Sequence, residues 1–222
     1  MRQLLYLSER KLRQFQPDRP RRWWRGIGSE VEAKLPPVGS VKLTRSGQTD
    51  GEIVDLVRAI AEIEESDLPV RWFDDQDLHA GEWVRFEARL NYATHAVEDE
   101  PFVVFFWEPA TVDGRPRLLL HGSRDSLVGV PRVEERLWPM GSDPLGLAHF
   151  VKAMAAEQDG FSVTDDWGSA VGLLYGLCAA TLPPATAAPF RGLARVTAVV
   201  DCGHQPTVIA SPLYVEYSTA RE

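Results

Sequence analysis

Cysteine is scarce in this sequence, with only Cys178 and Cys202 among 222 residues. Cys178 stands in an apolar run and Cys202 at the end of a predicted strand. Neither their spacing nor their setting is typical of a metal site or of a disulfide framework. A chain with so few cysteines suits a reducing compartment, and we therefore expect a cytoplasmic protein.

Long apolar runs and nucleotide-binding signatures are also missing. No stretch approaches the roughly 18 to 20 uninterrupted apolar residues of a membrane span, and the opening MRQLLYLSERK lacks the cleavage site of a signal peptide. The glycine-rich phosphate motifs and C-x-x-C do not occur, so we predict no cofactor. Without a linker or an internal repeat, residues 1–222 are expected to form a single globular domain.

Positive charge is in the minority, because 24 Lys and Arg face 32 Asp and Glu for a net charge of −8. This balance argues against a general nucleic-acid binder. Basic residues are nevertheless concentrated between Arg10 and Arg25, where they surround Trp23 and Trp24. Two interpretations of this basic segment stay open: a solvated loop whose tryptophans pack on the body, or a docking segment for a phosphate-bearing partner or a membrane surface.

The stretch from Trp83 to Gly129 predicts the centre of the fold. Apolar and polar residues alternate from Val84 to Tyr92, as in a strand with one buried face. The next segment, FVVFFW, is apolar at every position and predicts a central strand covered on both faces. Short links to the third strand, RLLLHGS, indicate an antiparallel meander.

The rest of the chain predicts further strands and helices, and the fold class is α+β: a largely antiparallel, mixed sheet of about seven strands with about three helices packed on it. Glycines 168, 172 and 176 recur every four residues in one helix, and we expect this ridge to pack on the sheet. Pro212 is expected at an edge or a bulge. The additional elements are a strand at 3–7, a hairpin at 30–35 and 41–44, a helix at 50–65, a helix that starts at Asp143-Pro144, a helix at 165–181 and a closing hairpin at 192–200 and 207–217.

Candidate binding chemistry lies at the turn after the third strand of the meander. A glycine turn that feeds a helix would place backbone N–H groups beside two basic side chains, an arrangement that suits a phosphate or carboxylate. The polar strand face with Arg85, Glu87 and Arg89 could extend such a site. The alternative is that Ser123 is only a helix cap and His121 is hydrogen-bonded to backbone. The ligand-binding candidates are His121, Gly122, Ser123, Arg124, Arg85 and Arg89.

Catalytic and metal-binding hypotheses use residues nearby. Ser123 as nucleophile, His121 or His149 as base and Asp125 as the orienting acid would make a hydrolase or transferase, although the G-x-S-x-G elbow is missing. The three acids Asp74, Asp75 and Asp77 have D-D-x-D spacing. They lack the glycine and glutamate of a calcium-binding loop, so a solvated turn is favoured over a metal site.

Four segments, LLYLSERKL, WVRFEARLNYA, RLLLHGSRDSLVG and SPLYVEYS, resemble an actinobacterial family of uncharacterised proteins known only as a domain of unknown function. They are spread over nearly the whole length of the chain. The resemblance implies a bacterial protein with one domain, and it implies no activity, cofactor or catalytic residue.

Three functional hypotheses follow. The first is a non-enzymatic binding or sensor module for a small anionic ligand or a protein partner. The second is the hydrolase or transferase centred on Ser123 and His121, and the third is docking on phosphate or membrane through Arg10–Arg25. We favour the first, and the sequence leaves the oligomeric state open.

Overall fold

A computed structural model describes residues 3–15, 50–66, 69–95, 103–109, 115–130, 167–202 and 205–218. This part of the chain forms seven strands, three α-helices and three short 3-10 turns. The strands are β1 Gln3–Leu7, β2 Arg71–Trp72, β3 Trp83–His95, β4 Val103–Trp107, β5 Arg117–Ser123, β6 Ala188–Asp201 and β7 Pro206–Tyr217. The helices are α1 Glu9–Leu12, α2 Asp50–Glu64 and α3 Trp167–Thr181, and the 3-10 turns are Arg13–Phe15, Arg124–Ser126 and Pro184–Thr186.

The sheet closes on itself. Strands β3, β4 and β5 form the predicted antiparallel meander, and β5 then runs parallel to β7. Strand β6 pairs antiparallel with both β7 and β3, so five strands make a closed barrel. Strand β1 adds to β7, and β2 adds to β3. The predicted mixed sheet of seven strands with three helices is confirmed in this form, but the closure into a barrel was not predicted.

The sequence patterns of β3 and β4 reflect which faces of each strand are buried. Phe86 and Leu90 of β3 point into the barrel, where they pack with Val104 and Phe106 of β4. The remaining residues of β4, such as Phe105, face outward and are covered by α3. Strand β4 is therefore buried on both faces, as its sequence predicts.

Helices α1, α2 and α3 cover the outer face of the barrel. Leu174 and Cys178 of α3 pack over β4 and β5, while Ile63 of α2 and Leu12 of α1 lie against β6 and β7. The expected glycine ridge is wrong at two of its three positions. Gly172 and Gly176 are exposed, and no described heavy atom outside the local backbone of α3 lies within 4 Å of where their Cβ would be. Helix α3 therefore contacts the sheet through its large apolar side chains.

Strand β7 pairs with three other strands of the sheet. Strand β6 lies along one of its edges, while β5 and β1 share the other edge, at 207–210 and 214–217. The ladder between β6 and β7 slips beside Pro212, which confirms the predicted bulge.

Several sequence predictions lie outside the described residues. They are the hairpin at 30–35 and 41–44, the helix that starts at Asp143, His149, and the basic segment beyond Phe15 with Trp23 and Trp24. Within the described ranges, no helix is long and apolar enough to cross a membrane.

Candidate functional site

One row of side chains crosses three neighbouring strands on the outer face of the barrel. Trp83 of β3 is paired with Arg195 of β6, and Arg195 is paired in turn with Ser211 of β7. Directly paired residues project from the same face of a sheet. Because the adjacent residues Val84 and Ala210 belong to the barrel core, the row must point outward. Closure between β3 and β6 is what brings its three members together.

Helix α1 places Lys11 over this row. The helix is fixed on one side by Leu12, which is buried against β6 and β7, and at its start by Ser8, whose N–H donates to a β7 carbonyl at 2.8 Å. The Lys11 ammonium then donates to Ser211 Oγ at 2.6 Å and to the Pro212 carbonyl at 2.9 Å. Both of these partners are neutral.

The charge of Lys11 is poorly compensated in this position. Burial lowers the pKa of Lys11 from 10.5 to about 7, with further contributions from the positive charges of Arg195 and Arg10. Removing an ammonium from water disfavours its charged form, and like charges nearby act in the same direction. An anion in contact with Lys11 would oppose both effects by favouring the charged ammonium.

These residues surround a pocket of about 440 Å³. Among the described residues that line it, three are basic and none carries a carboxylate. This composition is unusual in a chain whose acids outnumber its bases by 32 to 24. The lining residues are Arg10, Lys11, Gln14, Ala80, Gly81, Trp83, Arg195, Val196, Thr197 and Ser211. We refer to this site as the basic pocket.

The turn before β3 holds Arg195 in place. Arg195 Nε donates to the Gly81 carbonyl at 3.1 Å, and the Gly81 N–H donates to the Val196 carbonyl at 2.8 Å. Gly81 has a φ of +98°, a conformation that glycine adopts without the steric penalty of a side chain. The guanidinium is thus anchored through one nitrogen and retains further N–H groups that can donate to a ligand.

His121 supports one wall of the basic pocket from behind. The ring is fully buried, and its Nε2 lies 3.2 Å from Oγ1 of the pocket residue Thr197. Because the Thr197 hydroxyl donates to the Ile209 carbonyl at 3.0 Å, its oxygen can accept from the histidine N–H.

The turn after His121 is a single 3-10 turn, not the expected helix. Ser123 caps it by accepting from the Asp125 N–H at 3.3 Å, while Gly122 packs directly on the Tyr6 ring. Three residues give only one turn of aligned backbone dipoles, which weakens the physical basis for an anion site there. The ligand-binding role of Arg124 and the catalytic roles of His121, Ser123 and Asp125 stay predictions.

The polar face of β3 has partners within the protein. Arg85 forms an ion pair with Glu64 of α2, Glu87 accepts from the Ser218 hydroxyl at 2.5 Å, and Arg89 donates to the Ala187 carbonyl at 2.6 Å. None of these partners belongs to the turn at 121–124. The binding role of Arg85 and Arg89 stays a prediction, and none of these contacts connects the two side chains to that turn.

The acidic loop at 74–77 is arranged around an arginine. Arg71 donates to the carbonyls of Gln76 and Asp77 and lies 3.5 Å from the Asp75 carboxylate. That carboxylate also accepts the Trp72 N–H at 3.0 Å. Across the described ranges, no three His, Cys, Asp or Glu side chains are grouped in a way that could hold a metal ion, so neither Asp74 nor its neighbours gain support as ligands.

A family model covers almost the entire chain. The model described as a family of unknown function, DUF7019, matches residues 2–219. The chain belongs to this family. The predicted resemblance to a domain of unknown function is thereby confirmed, while an actinobacterial origin stays a prediction. Neither a curated protein nor a solved structure matches the chain.

The sequence of this DUF7019 domain indicates only part of the basic pocket. Arg10 and Lys11 were noted as the start of the basic segment, but Arg195 and Ser211 were not singled out. The missing information was the pairing of β3 with β6, which joins residues more than 100 positions apart. The polar side chains of Arg195 and Ser211 within the predicted closing hairpin were the available signal.

Proposed function

We propose that this protein is a non-enzymatic binding module that holds a small anionic ligand in the basic pocket. The observation that carries the proposal is the convergence of Arg10, Lys11 and Arg195 on a pocket whose described lining has no carboxylate. Arginine and lysine side chains directed at a common space are the usual donors to phosphate and carboxylate groups. The ligand would thus bring negative charge to a pocket whose described lining residues include no carboxylate.

The half-buried position of Lys11 supports the same proposal. A charged lysine held over two neutral acceptors and beside two guanidinium groups is electrostatically unfavourable without an anion. Anion binding would relieve that repulsion, so part of the binding free energy would come from the preorganised cations. Because Arg10 and Lys11 begin the basic segment, the proposal combines the anionic-ligand hypothesis with the phosphate arm of the docking hypothesis.

A thermal-unfolding titration with sulfate tests the proposal. Sulfate also stabilises proteins by exclusion from their surface, but that effect keeps growing with concentration, whereas binding to one site saturates. We expect a saturable rise of the unfolding midpoint in the wild-type protein. At about 100 times the dissociation constant the gain would be about 2.7 kcal/mol, or roughly 5 to 10 °C for a domain of this size.

Three arginine variants, each losing one charge, locate the site. Arg195→Gln removes a pocket cation, Arg124→Gln removes the cation at the 121–124 turn, and Arg13→Gln removes a cation whose side chain is 71% exposed. We expect the saturable component to be lost in Arg195→Gln and kept in the other two. If it is lost only in Arg124→Gln, the ligand binds at the turn and the proposal fails. A saturable rise of equal size in all three variants also rejects the pocket.

A further inference from the structure

The basic pocket is lined by apolar as well as basic side chains. Trp83 forms part of its lining, and the Trp83 ring packs at 6.1 Å, between ring centroids, from the Phe15 ring. Ala80 adds further apolar surface. The volume of about 440 Å³ lies within the range of about 300 to 1,000 Å³ typical of pockets for organic ligands. An inorganic anion would leave most of this space unused.

The charges in the pocket favour a ligand with more than one negative charge. Arg10 and Lys11 approach from α1 and Arg195 from β6, so the three cations reach the space from two sides. A phosphate monoester carries a charge of about −1.5 to −2 near neutral pH and presents three strong acceptor oxygens. A carboxylate or a sulfate monoester of the same shape carries only a single charge.

Ser211 adds a neutral donor to this set. Its oxygen accepts from Lys11 at 2.6 Å, which leaves the hydroxyl hydrogen able to donate to an anion in the pocket. The hydroxyl of Thr197, in contrast, is already used toward the Ile209 carbonyl. The polar end of the pocket is therefore formed by Lys11, Ser211 and Arg195, and the apolar end by Trp83.

We infer that the ligand of the basic pocket is a small-molecule phosphate monoester whose organic part is aromatic, with the phosphate between Lys11 and Arg195 and the ring against Trp83. This inference rests on the proposed function and adds the chemical class of the ligand. Aromatic rings gain from stacking on tryptophan in addition to the area that they bury, and the paired guanidinium and ammonium groups match the oxygens of phosphate.

Three probe ligands test the two halves of the inference by calorimetric titration against the full chain. Phenyl phosphate has both the dianion and the ring, phenyl sulfate keeps the ring with one charge, and methyl phosphate keeps the dianion without the ring. At pH 8 we expect phenyl phosphate to bind at least about 10-fold more tightly than phenyl sulfate, because its second charge meets two arginines and favours the charged form of Lys11. We expect it to exceed methyl phosphate by about 5-fold or more through contact with Trp83.

Two tryptophan variants separate stacking from general hydrophobicity. Trp83→Leu retains an apolar side chain beside Phe15, and Trp72→Leu changes a tryptophan that is 47% exposed on β2 and does not line the pocket. The advantage of phenyl over methyl phosphate should disappear in Trp83→Leu and persist in Trp72→Leu. The comparison of the three probes on the wild-type protein stands even if Trp83→Leu fails to fold.

Each negative outcome identifies what is wrong. Equal affinity for phenyl phosphate and phenyl sulfate would reject the inference that the ligand is a dianion. Equal affinity for phenyl and methyl phosphate would reject the inference that its organic part is aromatic. Either result leaves the proposed anion-binding function intact. If none of the probes binds and sulfate gives no saturable rise of the unfolding midpoint, the proposed function itself is rejected.

Discussion

Lys11 carries an electrostatic cost that depends on pH. Its pKa in the folded protein is about 7, below the ordinary value of 10.5, so the unfolded chain binds more protons than the folded one between these two values. Stability must therefore rise with pH across that interval as far as Lys11 is concerned. Below pH 7 both states carry the charge, and the full cost remains.

This cost predicts how Lys11→Met compares with the wild-type protein. Methionine keeps a flexible apolar side chain and removes the titrating group. We expect Lys11→Met to gain unfolding free energy relative to wild type, and the gain at pH 6.5 to exceed the gain at pH 9.5 by on the order of 2 to 3 kcal/mol. Urea unfolding at the two pH values measures it. A difference that is independent of pH, or that has the opposite sign, would show that the pKa of Lys11 is not lowered in the folded protein.

At the scale of single elements, glycines in the barrel and glycines in α3 have opposite roles. A Cβ at Gly192 of β6 would overlap the Tyr214 carbonyl oxygen and lie 2.6 Å from Cζ of Phe86. Both neighbours belong to the closed barrel, which can relax little. In contrast, a Cβ at Gly172 or Gly176 would meet no described heavy atom outside the local backbone of α3 within 4 Å. The strand glycine is required by packing, and the helix glycines are not.

Alanine substitutions at Gly192 and Gly176 should therefore change the unfolding free energy in opposite directions. Gly192→Ala is expected to lose at least about 2 kcal/mol of unfolding free energy, because overpacking against backbone cannot be relieved by a rotamer change. Gly176→Ala is expected to gain up to about 1 kcal/mol, since alanine is the better helix former. Chemical denaturation of the two variants checks both values. Loss of stability in Gly176→Ala would mean that α3 makes a close contact on that face.

The elements that sequence predicted correctly are those whose signal is local. Alternation from Val84 to Tyr92 reflects one face inside the barrel, and the unbroken run of β4 reflects burial on both faces. Strand β1, helices α2 and α3 and the terminal hairpin were also found from periodicity and turn residues. The 3-10 turn at Arg124–Ser126 was expected to be a helix because a cap residue followed by polar residues does not specify how far a helix extends.

The pairings that create the basic pocket were not predictable in the same way. The parallel pair of β5 with β7 and the antiparallel pair of β3 with β6 join strands far apart in sequence, and the hydrophobic period of a strand does not specify its partner. Trp83 and Arg195 were each assigned to a strand correctly. That they are neighbours follows only from the closure of the barrel.

At the scale of the whole molecule, closure links all described strands into one hydrogen-bonded system. Strand β7 pairs with β1, β5 and β6. Loss of this strand would therefore open the barrel and release β1 at the same time. We therefore expect a single cooperative unfolding transition, with coincident curves from far-ultraviolet circular dichroism and tryptophan fluorescence. Two separated transitions would contradict the prediction that residues 1–222 form one domain.

The central position of β7 has a consequence for protein synthesis. The ribosome produces β1, β5 and β6 before residues 206–217. The edge of each strand that pairs with β7 therefore has no partner until β7 has been synthesised. Lys11 likewise has no Ser211 to contact until β7 has left the exit tunnel. A nascent chain that stalls before β7 would expose those strand edges and be unable to assemble the ligand site, which makes the last strand the step that commits the chain to its native state.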